Sequence, residues 1–442
     1  MLGEAQERAG GSKGTLELEL SGEALKVIYT IAVCTLSILY VWTLYNIPIL
    51  AVGIRHLRRS GQIRRRFPPL SEERLPTVSI IVPAKDEEKV VGRLLEAFLN
   101  IDYPPEKREI LIVEDGSVDK TAEIGAEYAR RHPNQVRLVQ RSTSNGKPSA
   151  LNHALKYVRG EIVAVFDADN VPESDTLLKA AEFFEDPSIA AVQGRTYSIN
   201  ADENMLSKFI SYEEAMRYET YMMGKEVLNL FIPITGSCYF IRRKVLEEIG
   251  GWDDESLSED TELSARLAEK DFGVKYAPEV VSWQENPANL GQLFRQRTRW
   301  FRGCMEVGLK YGRLVTKLDR RSIDAEVTLA GSYMLALCFM GYLAALYAVL
   351  VPIQQDPLFI MITQATSLLS IISLCIIGMT LVYVTKPRKM GNLLWLPFVY
   401  AYWSLQTFLA SYALVQIVFQ RPRRWIRTAK TGVAINYAKQ SN

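Results

Sequence analysis

The sequence is poor in the residues on which metal-binding, redox and disulfide-bonded proteins depend. Its 442 residues include five cysteines and three histidines, and no two cysteines form a C-x-x-C pair. Neither a zinc site nor a disulfide framework is therefore indicated, and the scarce thiols fit a reducing cytosol. None of the histidines lies in the acidic motifs described below, which disfavours a histidine base.

Phosphate-binding loops and an excess of charge of one sign are missing as well. The chain contains no G-x-G-x-x-G and no G-x-x-x-x-G-K-[ST] motif, so dinucleotide and P-loop binding lose their main support. Its 52 basic and 50 acidic residues give a formal net charge of +2. This balance does not suggest a nucleic-acid partner.

Charge is also absent from four long apolar stretches, which are the strongest signal in the composition. They are residues 27–54, 327–355, 357–385 and 390–420. Each is longer than the roughly 20 residues that a helix needs to cross the hydrocarbon core of a bilayer. We therefore predict a multi-pass cell-membrane protein, with membrane lipids as partners and one globular segment at about residues 71–320.

Arginines after the first stretch predict its orientation. The sequence RHLRRSGQIRRR (55–66) contains six arginines, whereas residues 1–26 are slightly acidic. The positive-inside rule places the N-terminus outside and the globular segment in the cytoplasm. A simple crossing by 390–420 would leave the basic residues that follow it outside, so we expect that stretch to be interfacial or re-entrant.

Strands and helices alternate in the globular segment. The predicted strands are TVSIIVPA (77–84), EILIVEDGS (109–117) and VRLVQR (136–141). The first is expected to turn into a helix near Asp86, and PSALNHALKYVRG (148–160) is predicted to form another helix. This alternation, with continuous apolar strands, predicts an α/β fold whose mostly parallel sheet is covered on both faces.

Acidic residues occupy the carboxyl ends of these strands, where open α/β sheets bind ligands. Glu114 and Asp115 end one strand, and Asp167 and Asp169 end the strand in EIVAVFDADN (161–170). A D-x-D pair offers two hard oxygen ligands with which a divalent metal can bridge to a diphosphate. By itself, the pair equally fits a helix cap or a solvated turn.

Seven motifs in order make residues 76–305 resemble the inverting family 2 glycosyltransferases, in the membrane-integrated group of cellulose, chitin and hyaluronan synthases. The motifs are VSIIVPAKDEE, VEDGSVDKT, NGKPSALNHAL, FDADN, TGSCYFIRR, GGWDDESLSEDTEL and QRTRW. The resemblance implies a cytosolic, Rossmann-like GT-A domain beside an α-helical transmembrane region.

The chain is accordingly divided into seven parts. These are an extracytoplasmic segment (1–26), a transmembrane helix (27–54), a basic cytosolic linker (55–75), the catalytic domain (76–305), an interfacial linker (306–326), transmembrane or interfacial helices (327–420) and a cytosolic tail (421–442).

The resemblance implies a site for a nucleotide-sugar donor, most simply a UDP-sugar. The donor-binding residues would be Pro83, Glu87, Asp115, Lys147, Asp167 and Arg299. Asp115 is expected to accept the imide hydrogen of the base, and Arg299 to grip the diphosphate. Asp167 and Asp169 match the family's metal-binding pair, for Mg²⁺ or Mn²⁺, with Asp169 as the more direct ligand. Without the other motifs, Lys147 fits a solvated loop lysine.

The resemblance also implies the catalytic and acceptor residues. Asp260, beside Glu259 in SEDTEL, corresponds to the general base that takes a proton from the acceptor hydroxyl during attack on the anomeric carbon. An α-linked donor would then give a β-linked product. The acceptor would meet Trp300 of QRTRW and the turn residues Gly236, Ser237 and Cys238.

Two of these motifs have simpler structural interpretations. Glu259 and Asp260 also suit the N-terminus of a helix, where negative charge is favourable, and QRTRW also fits a basic interfacial helix. The tail WIRTAKTG (425–432) resembles a mobile segment that covers the donor site in relatives. This implies a gating role for its cytosolic residues Trp425, Thr428 and Lys430.

Three functions stay open at this point. A processive β-polysaccharide synthase is favoured by QRTRW and by the tail. An enzyme that adds one sugar to a lipid acceptor is the alternative, because resembling enzymes of that kind share the pentapeptide. A non-catalytic membrane module that binds nucleotide sugars is disfavoured, since Asp260 and the D-x-D pair are both present. The sequence does not define the sugar, the linkage or the oligomeric state.

Overall fold

The structure is a computed structural model, and it describes residues 22–59, 69–350, 357–384, 389–423, 428 and 430–432. The gating candidate Trp425 lies outside the described residues.

Eight strands of the described chain form one mixed sheet. They are β1 (Val78–Ala84), β2 (Arg108–Asp115), β3 (Val136–Arg141), β4 (Ile162–Val165), β5 (Val171–Pro172), β6 (Ile189–Ser198), β7 (Tyr239–Arg242) and β8 (Gly273–Gln284). Their order is β3-β2-β1-β4-β7-β6-β8-β5. β3, β2, β1 and β4 run parallel, as do β6 and β8, whereas β7 is antiparallel to both its neighbours. The predicted mostly parallel sheet is confirmed.

The α-helices flank this sheet or extend away from it. They are α1 (Gly22–Arg59), α2 (Val91–Leu99), α3 (Thr121–Arg131), α4 (Lys147–Leu155), α5 (Thr176–Phe183), α6 (Met205–Ala215), α7 (Met223–Val227), α8 (Arg243–Glu248), α9 (Glu259–Glu269), α10 (Leu290–Tyr311), α11 (Arg320–Leu329), α12 (Gly331–Leu350), α13 (Pro357–Tyr383) and α14 (Leu396–Val418). A π-helical segment, Met216–Met222, joins α6 to α7.

Both faces of the sheet are buried, which explains the continuous apolar strands. Alternate residues of a strand point to opposite faces, so Ile80 packs in the cluster that contains Phe98 of α2, whereas Ile81 packs in the cluster that contains Leu151 of α4. All four side chains are fully buried. The strand ends therefore lie between two rigid layers.

Two predicted helix boundaries are wrong. The helix expected near Asp86 begins at Val91, because Asp86 adopts a left-handed conformation (φ 51°) and its carboxylate accepts a 2.8 Å hydrogen bond from the Val118 amide. That bond holds Asp86 in a loop between two strand ends. The helix expected to reach Gly160 ends at Leu155.

Two helices within the described residues are long and apolar enough to cross a membrane, at Tyr29–Leu57 and Ile360–Tyr383. A third span results if α11 and α12, which meet at a bend of 48°, count as one. The stretch 390–420 begins as a 3₁₀ helix (Met390–Trp395) before α14. It is not among these candidates, and its interfacial or re-entrant character stays a prediction.

The helix α1 packs closely on the π-helical segment and α7. A side chain at Gly53 would collide with the Thr220 carbonyl, and one at Gly224 would collide with the Ile49 carbonyl. Only glycine permits backbones to approach this closely. The apolar helix and the globular domain are thus in direct backbone contact.

A buried ion pair reinforces this contact. The Lys225 ammonium lies 2.7 Å from the Asp324 carboxylate, and both side chains are inaccessible to solvent. Tyr45 of α1 donates a 3.0 Å hydrogen bond to the same carboxylate. Residues 306–326, expected as a linker, are largely helical, and Tyr311 and Ala325 pack there with other buried side chains.

Candidate active site

One cavity at the carboxyl ends of the strands brings together thirteen of the sixteen predicted site residues. They are Pro83, Glu87, Asp115, Lys147, Asp167, Asp169, Gly236, Glu259, Asp260, Arg299, Trp300, Thr428 and Lys430. These residues come from distant parts of the chain and meet because β1, β2 and β4 run parallel and end at the same edge. Their individual roles stay predictions.

Asp115, the expected base-binding residue, is already held by neighbouring side chains. It ends β2 and is 4% exposed. Its Oδ1 lies 2.7 Å from the Arg141 guanidinium at the end of β3, and its Oδ2 accepts a 2.6 Å hydrogen bond from Ser144. These contacts hold the carboxylate in place at one end of the cavity.

Lys147 is the electrostatic centre of the cavity. It begins α4, and its ammonium lies 2.6 Å from Asp167 and 3.1 Å from Glu259. It also donates a 2.7 Å hydrogen bond to the Gly236 carbonyl. Burial alone would lower the pKa of Lys147, but the two carboxylates outweigh burial and raise it. This lysine is no solvated loop residue, because it ties three segments of the site together.

Asp169 is buried and paired with the tail. Its Oδ2 accepts a 2.6 Å hydrogen bond from the Lys430 ammonium and a 3.1 Å bond from the Glu285 amide. Burial would raise the pKa of Asp169, but these donors, Lys430 above all, hold it below its ordinary value. The second carboxylate of the D-x-D pair is therefore ionised, with a cation already beside it.

Glu285 anchors the tail at this point. Its carboxylate accepts hydrogen bonds from the Thr431 amide and hydroxyl and from the Gly432 amide, and its own carbonyl accepts a bond from Lys430. Glu285 is 2% exposed. Residues 430–432 of the tail thus lie against Asp169 and Glu285 at one end of the cavity.

Asp260 stands at the N-terminus of α9 with its two oxygens in different surroundings. Oδ1 accepts hydrogen bonds from the Ser258 hydroxyl (2.8 Å) and the Thr261 amide (2.7 Å). Oδ2 faces Gly236, 3.2 Å from the position that a Cβ would take there. Within the described chain Oδ2 has no hydrogen-bond donor. Gly236 (φ 82°) keeps this oxygen open to the cavity.

Arg299 and Trp300 enter the cavity from α10. The Arg299 guanidinium donates a 3.2 Å hydrogen bond to the Leu257 carbonyl, and burial lowers its pKa against the opposing effect of Glu259 and Asp260. The guanidinium of Arg297 lies 4.6 Å from the centre of the Trp300 ring. The indole is held by this cation–π contact.

Two predicted acceptor residues do not line the cavity. Ser237 is 2% exposed, and its hydroxyl accepts a 3.0 Å hydrogen bond from the Asp167 amide. Cys238 is fully buried in the hydrophobic core. Because these side chains lie behind the wall, they can only position it, and Gly236 is the one of the three predicted turn residues that lines the cavity.

The sequence predictions missed Arg141, Glu285 and Arg217. Arg141 ends a predicted strand beside the acids of β2, so its position at a strand end was a usable signal. Glu285 follows directly on β8, in WQENP, which is a similar but weaker signal. Arg217 lies in the π-helical segment and lines the cavity; no motif marks it.

Comparison with known proteins agrees with this geometry. A family model described as glycosyltransferase-like family 2 matches residues 76–303. The probable glycosyltransferase YdaM of Bacillus subtilis is 33% identical over 300 residues, which cover 66% of this chain and 70% of that protein.

Two synthases are also similar. A beta-monoglucosyldiacylglycerol synthase of Nostoc sp. is 34% identical over 245 residues, covering 55% of this chain and 52% of that protein. A poly-beta-1,6-N-acetyl-D-glucosamine synthase of Staphylococcus epidermidis is 30% identical over 234 residues, covering 53% and 56%. The chain thus spans about half the length of these two synthases.

A solved structure supports the fold. The mannosyltransferase PcManGT of Pyrobaculum calidifontis, in complex with GDP-Man and Mn²⁺, matches with a TM-score of 0.58 at 20% identity, over 89% of this chain and 100% of that chain. The globular domain therefore has the GT-A fold. From the match over residues 76–303 and the similarity to YdaM, the chain belongs to glycosyltransferase-like family 2.

Proposed function

We propose that this protein is a membrane-bound inverting glycosyltransferase that moves a sugar from a nucleotide donor, UDP-linked in the first instance, to an acceptor hydroxyl with β-linkage. The observation that carries the proposal is the placement of Asp260. One of its oxygens is fixed by Ser258 and Thr261, and the other is open to the cavity beside Gly236. A general base needs this combination of a fixed position and a free lone pair.

The donor end has the groups that a nucleoside diphosphate requires. Asp115 offers a carboxylate acceptor to the base, and Lys147 and Arg299 offer positive charge to the phosphates. The diphosphate would compete with Asp167 and Glu259 for the Lys147 ammonium, which now bonds to both carboxylates. Binding of the donor is therefore an exchange of anionic partners around one lysine.

A divalent cation fits the Asp167 and Asp169 pair. Both proposed ligands are carboxylates, which offer only oxygen atoms. No group of three or more metal-binding side chains occurs among the described residues, so the described side chains would supply two ligands at most. Mg²⁺ commonly takes one or two carboxylates and completes its shell with substrate phosphates and water. Bound there, Mg²⁺ or Mn²⁺ would supply positive charge to the departing diphosphate.

The chain's own residues account for the remaining requirements. Asp260 Oδ2 would take the acceptor proton, while Oδ1 stays bonded to the Thr261 amide, so the carboxylate cannot rotate away. Trp300 offers an aromatic surface to the acceptor. Lys430 and Thr428 would cover the donor end when the tail is docked, which is the gating role proposed for this segment.

Two acceptor classes fit this proposal. The sequence favours a growing β-polysaccharide, and one similar protein is named as a polysaccharide synthase. A specific observation favours a lipid acceptor: α10, which carries Trp300, packs directly against α14, and α13 and α14 bury apolar residues in the same cluster as Leu293 of α10. An acceptor could then reach the cavity from the side of the apolar helices.

The test uses the full chain in lipid nanodiscs with Mn²⁺ and a panel of radiolabelled nucleotide sugars. Labelled product would be separated into lipid extract and high-molecular-weight polymer. We expect transfer by the wild type and none by Asp260→Asn. Equal turnover by both proteins would refute the assignment of the base, whatever the product. No turnover with any donor would refute the proposed function.

A further inference from the structure

We propose that the acceptor is a lipid whose headgroup carries both a phosphate and a free hydroxyl, and that Arg217 binds the phosphate. The inference rests on the proposed function and names the class of its acceptor.

Arg217 is a cavity cation without an anionic partner. Lys147 and Lys430 in the same cavity are paired with carboxylates. Within the described chain, Arg217 has no carboxylate in ion-pair distance, and its one contact is a weak one with the Tyr218 ring, 6.0 Å from the ring centre. Its side chain is exposed. A guanidinium in this state suits a phosphate, which it can bind through two parallel hydrogen bonds.

The backbone that carries Arg217 is fixed by the residues that follow it. The Tyr218 hydroxyl bonds to the Thr196 hydroxyl at 3.0 Å, and the Glu219 carboxylate accepts a 2.7 Å bond from Arg195. Both contacts anchor the π-helical segment to β6, so Arg217 projects into the cavity from a rigid support. Single π-helical turns are frequent at functional sites because they displace side chains from the helical register.

Arg217 belongs to the acceptor wall of the cavity. Burial is the main cause of the raised pKa of the Cys304 thiol, and the charge of Arg217 is among the effects that oppose it. Cys304 lies one helical turn after Trp300 on α10, and Arg217 lines the same cavity as both residues. The guanidinium thus shares this cavity with the surface on which the acceptor is expected.

Gln296 is the reason to propose a hydroxyl group on the lipid headgroup. It also lines the cavity, it is 9% exposed, and its Oε1 has no hydrogen-bond donor within the described chain. A buried oxygen that stays without a hydrogen-bond donor destabilises the folded protein. A phosphodiester offers no hydrogen to it, whereas a hydroxyl group does. The ligand that satisfies Arg217 and Gln296 together is a hydroxylated phosphate headgroup.

The position of this wall favours a lipid over a glycan. Phe209 of α6, just before the π-helical segment, packs in one cluster with Ile377 of α13 and Tyr402 of α14. The helix α13 contains one of the two candidate membrane spans. A lipid could therefore present its headgroup laterally to Arg217. A neutral diacylglycerol would leave this guanidinium without an anion.

The experiment compares two probe lipids, phosphatidylglycerol and diacylglycerol, in mixed micelles with phosphatidylcholine. The proteins are the full-length wild type, Arg217→Gln, Arg217→Lys and Arg295→Gln. Arg295 is a matched control, because it is an exposed arginine of α10 that does not line the cavity. Circular dichroism and size-exclusion chromatography would check that each variant is folded.

We expect the wild type to glycosylate phosphatidylglycerol with a KM about tenfold below that for diacylglycerol, the size of one charge-assisted contact. Arg217→Gln should raise the KM for phosphatidylglycerol about tenfold, with the donor KM unaffected. Arg217→Lys should fall between the two, and Arg295→Gln should behave as the wild type.

Four outcomes would overturn the inference. They are an unchanged KM in Arg217→Gln, an equal effect of Arg295→Gln, a wild-type preference for diacylglycerol, and label found only in polymer. If no lipid is labelled but release of nucleotide still depends on Asp260, the acceptor class is wrong and the proposed function stands. If no turnover depends on Asp260, both fail.

Discussion

The two ends of the cavity differ in how their charges are balanced. At the donor end, Asp115, Lys147 and Asp169 each lie within ion-pair distance of an opposite charge from the same chain. At the acceptor end, Arg217 and one oxygen of Asp260 have no such partner within the described residues. The charges at the proposed donor end are thus paired within the protein, whereas the proposed acceptor end has charged groups without such a partner.

This difference separates two tasks of a transferase. A nucleoside diphosphate brings several negative charges, and a site whose charges are already paired accepts them by exchanging ion-pair partners. Pairing also stabilises Lys147 and the buried carboxylates of Asp115, Asp169 and Glu259 in the absence of substrate. An unpaired buried charge costs several kcal/mol. A general base, by contrast, must keep a lone pair free for the acceptor, as proposed for Asp260.

The largest test of this contrast is Asp260→Asn. A positioned general base typically contributes 10²- to 10⁴-fold, so we expect kcat to fall about 10³-fold with the Kd for UDP changed less than about twofold. The matched control is Glu255→Gln, an exposed acid on the same loop. Retained turnover in Asp260→Asn would show that the open oxygen is not the base.

Lys147→Met tests the paired charges of the proposed donor end. It removes the partner of Asp167 and of buried Glu259, and breaking such pairs costs about 3–5 kcal/mol. We expect the midpoint of thermal unfolding to fall by about 10 °C, measured with a thiol-reactive dye. Lys156→Met, at an exposed lysine of the same region, should leave it within about 1 °C. A stable Lys147→Met protein would mean that the pairs are not a coupled unit.

Lys430→Met sharpens the comparison by removing one paired cation from the proposed donor end. It removes the cation from Asp169, so Mn²⁺ should bind more tightly, by about threefold to tenfold, when titrated without donor and followed by electron paramagnetic resonance. Lys120→Met serves as the exposed control. Weaker Mn²⁺ binding would instead indicate that the docked tail helps to build the metal site.

The smallest effect concerns Glu214, near the C-terminal end of α6. Burial raises its pKa to about 7, although Asn286 and Gln284 donate hydrogen bonds to it. Because its pKa is higher in the folded state, Glu214 favours folding at low pH, and this contribution falls as the pH rises from about 5 to 7. Glu214→Gln should therefore gain thermal stability relative to the wild type, by a few degrees, between pH 5 and pH 8. A difference independent of pH would contradict the shifted pKa.

The strand ends of the donor site follow directly from the sequence. Apolar runs of strand length end on Glu114, Asp115, Asp167 and Asp169, and parallel strands bring such ends together. The motifs then give each acid a candidate role. Local sequence was sufficient here because strand, turn and functional residue are consecutive.

The acceptor wall does not follow from the sequence in the same way. The position of Arg217 depends on a π-helical turn, which adds a residue to the helical period and leaves no trace in the apolar spacing. The contact between Lys430 and Asp169 joins residues 261 positions apart. The antiparallel β7 was not foreseen either, because its direction depends on the long helical connection from β6, which α6, the π-helical segment and α7 form.

The glycine contacts of α1 have a mechanical consequence. Gly53 and Gly224 put the backbone of the apolar helix against the backbone that continues into the acceptor wall. If α1 spans the bilayer as proposed, the reaction centre is held at a fixed distance from the bilayer surface. The acceptor must then move to the reaction centre. The distance by which its hydroxyl groups extend from the bilayer, rather than a tilt of the domain, would decide which hydroxyl receives the sugar.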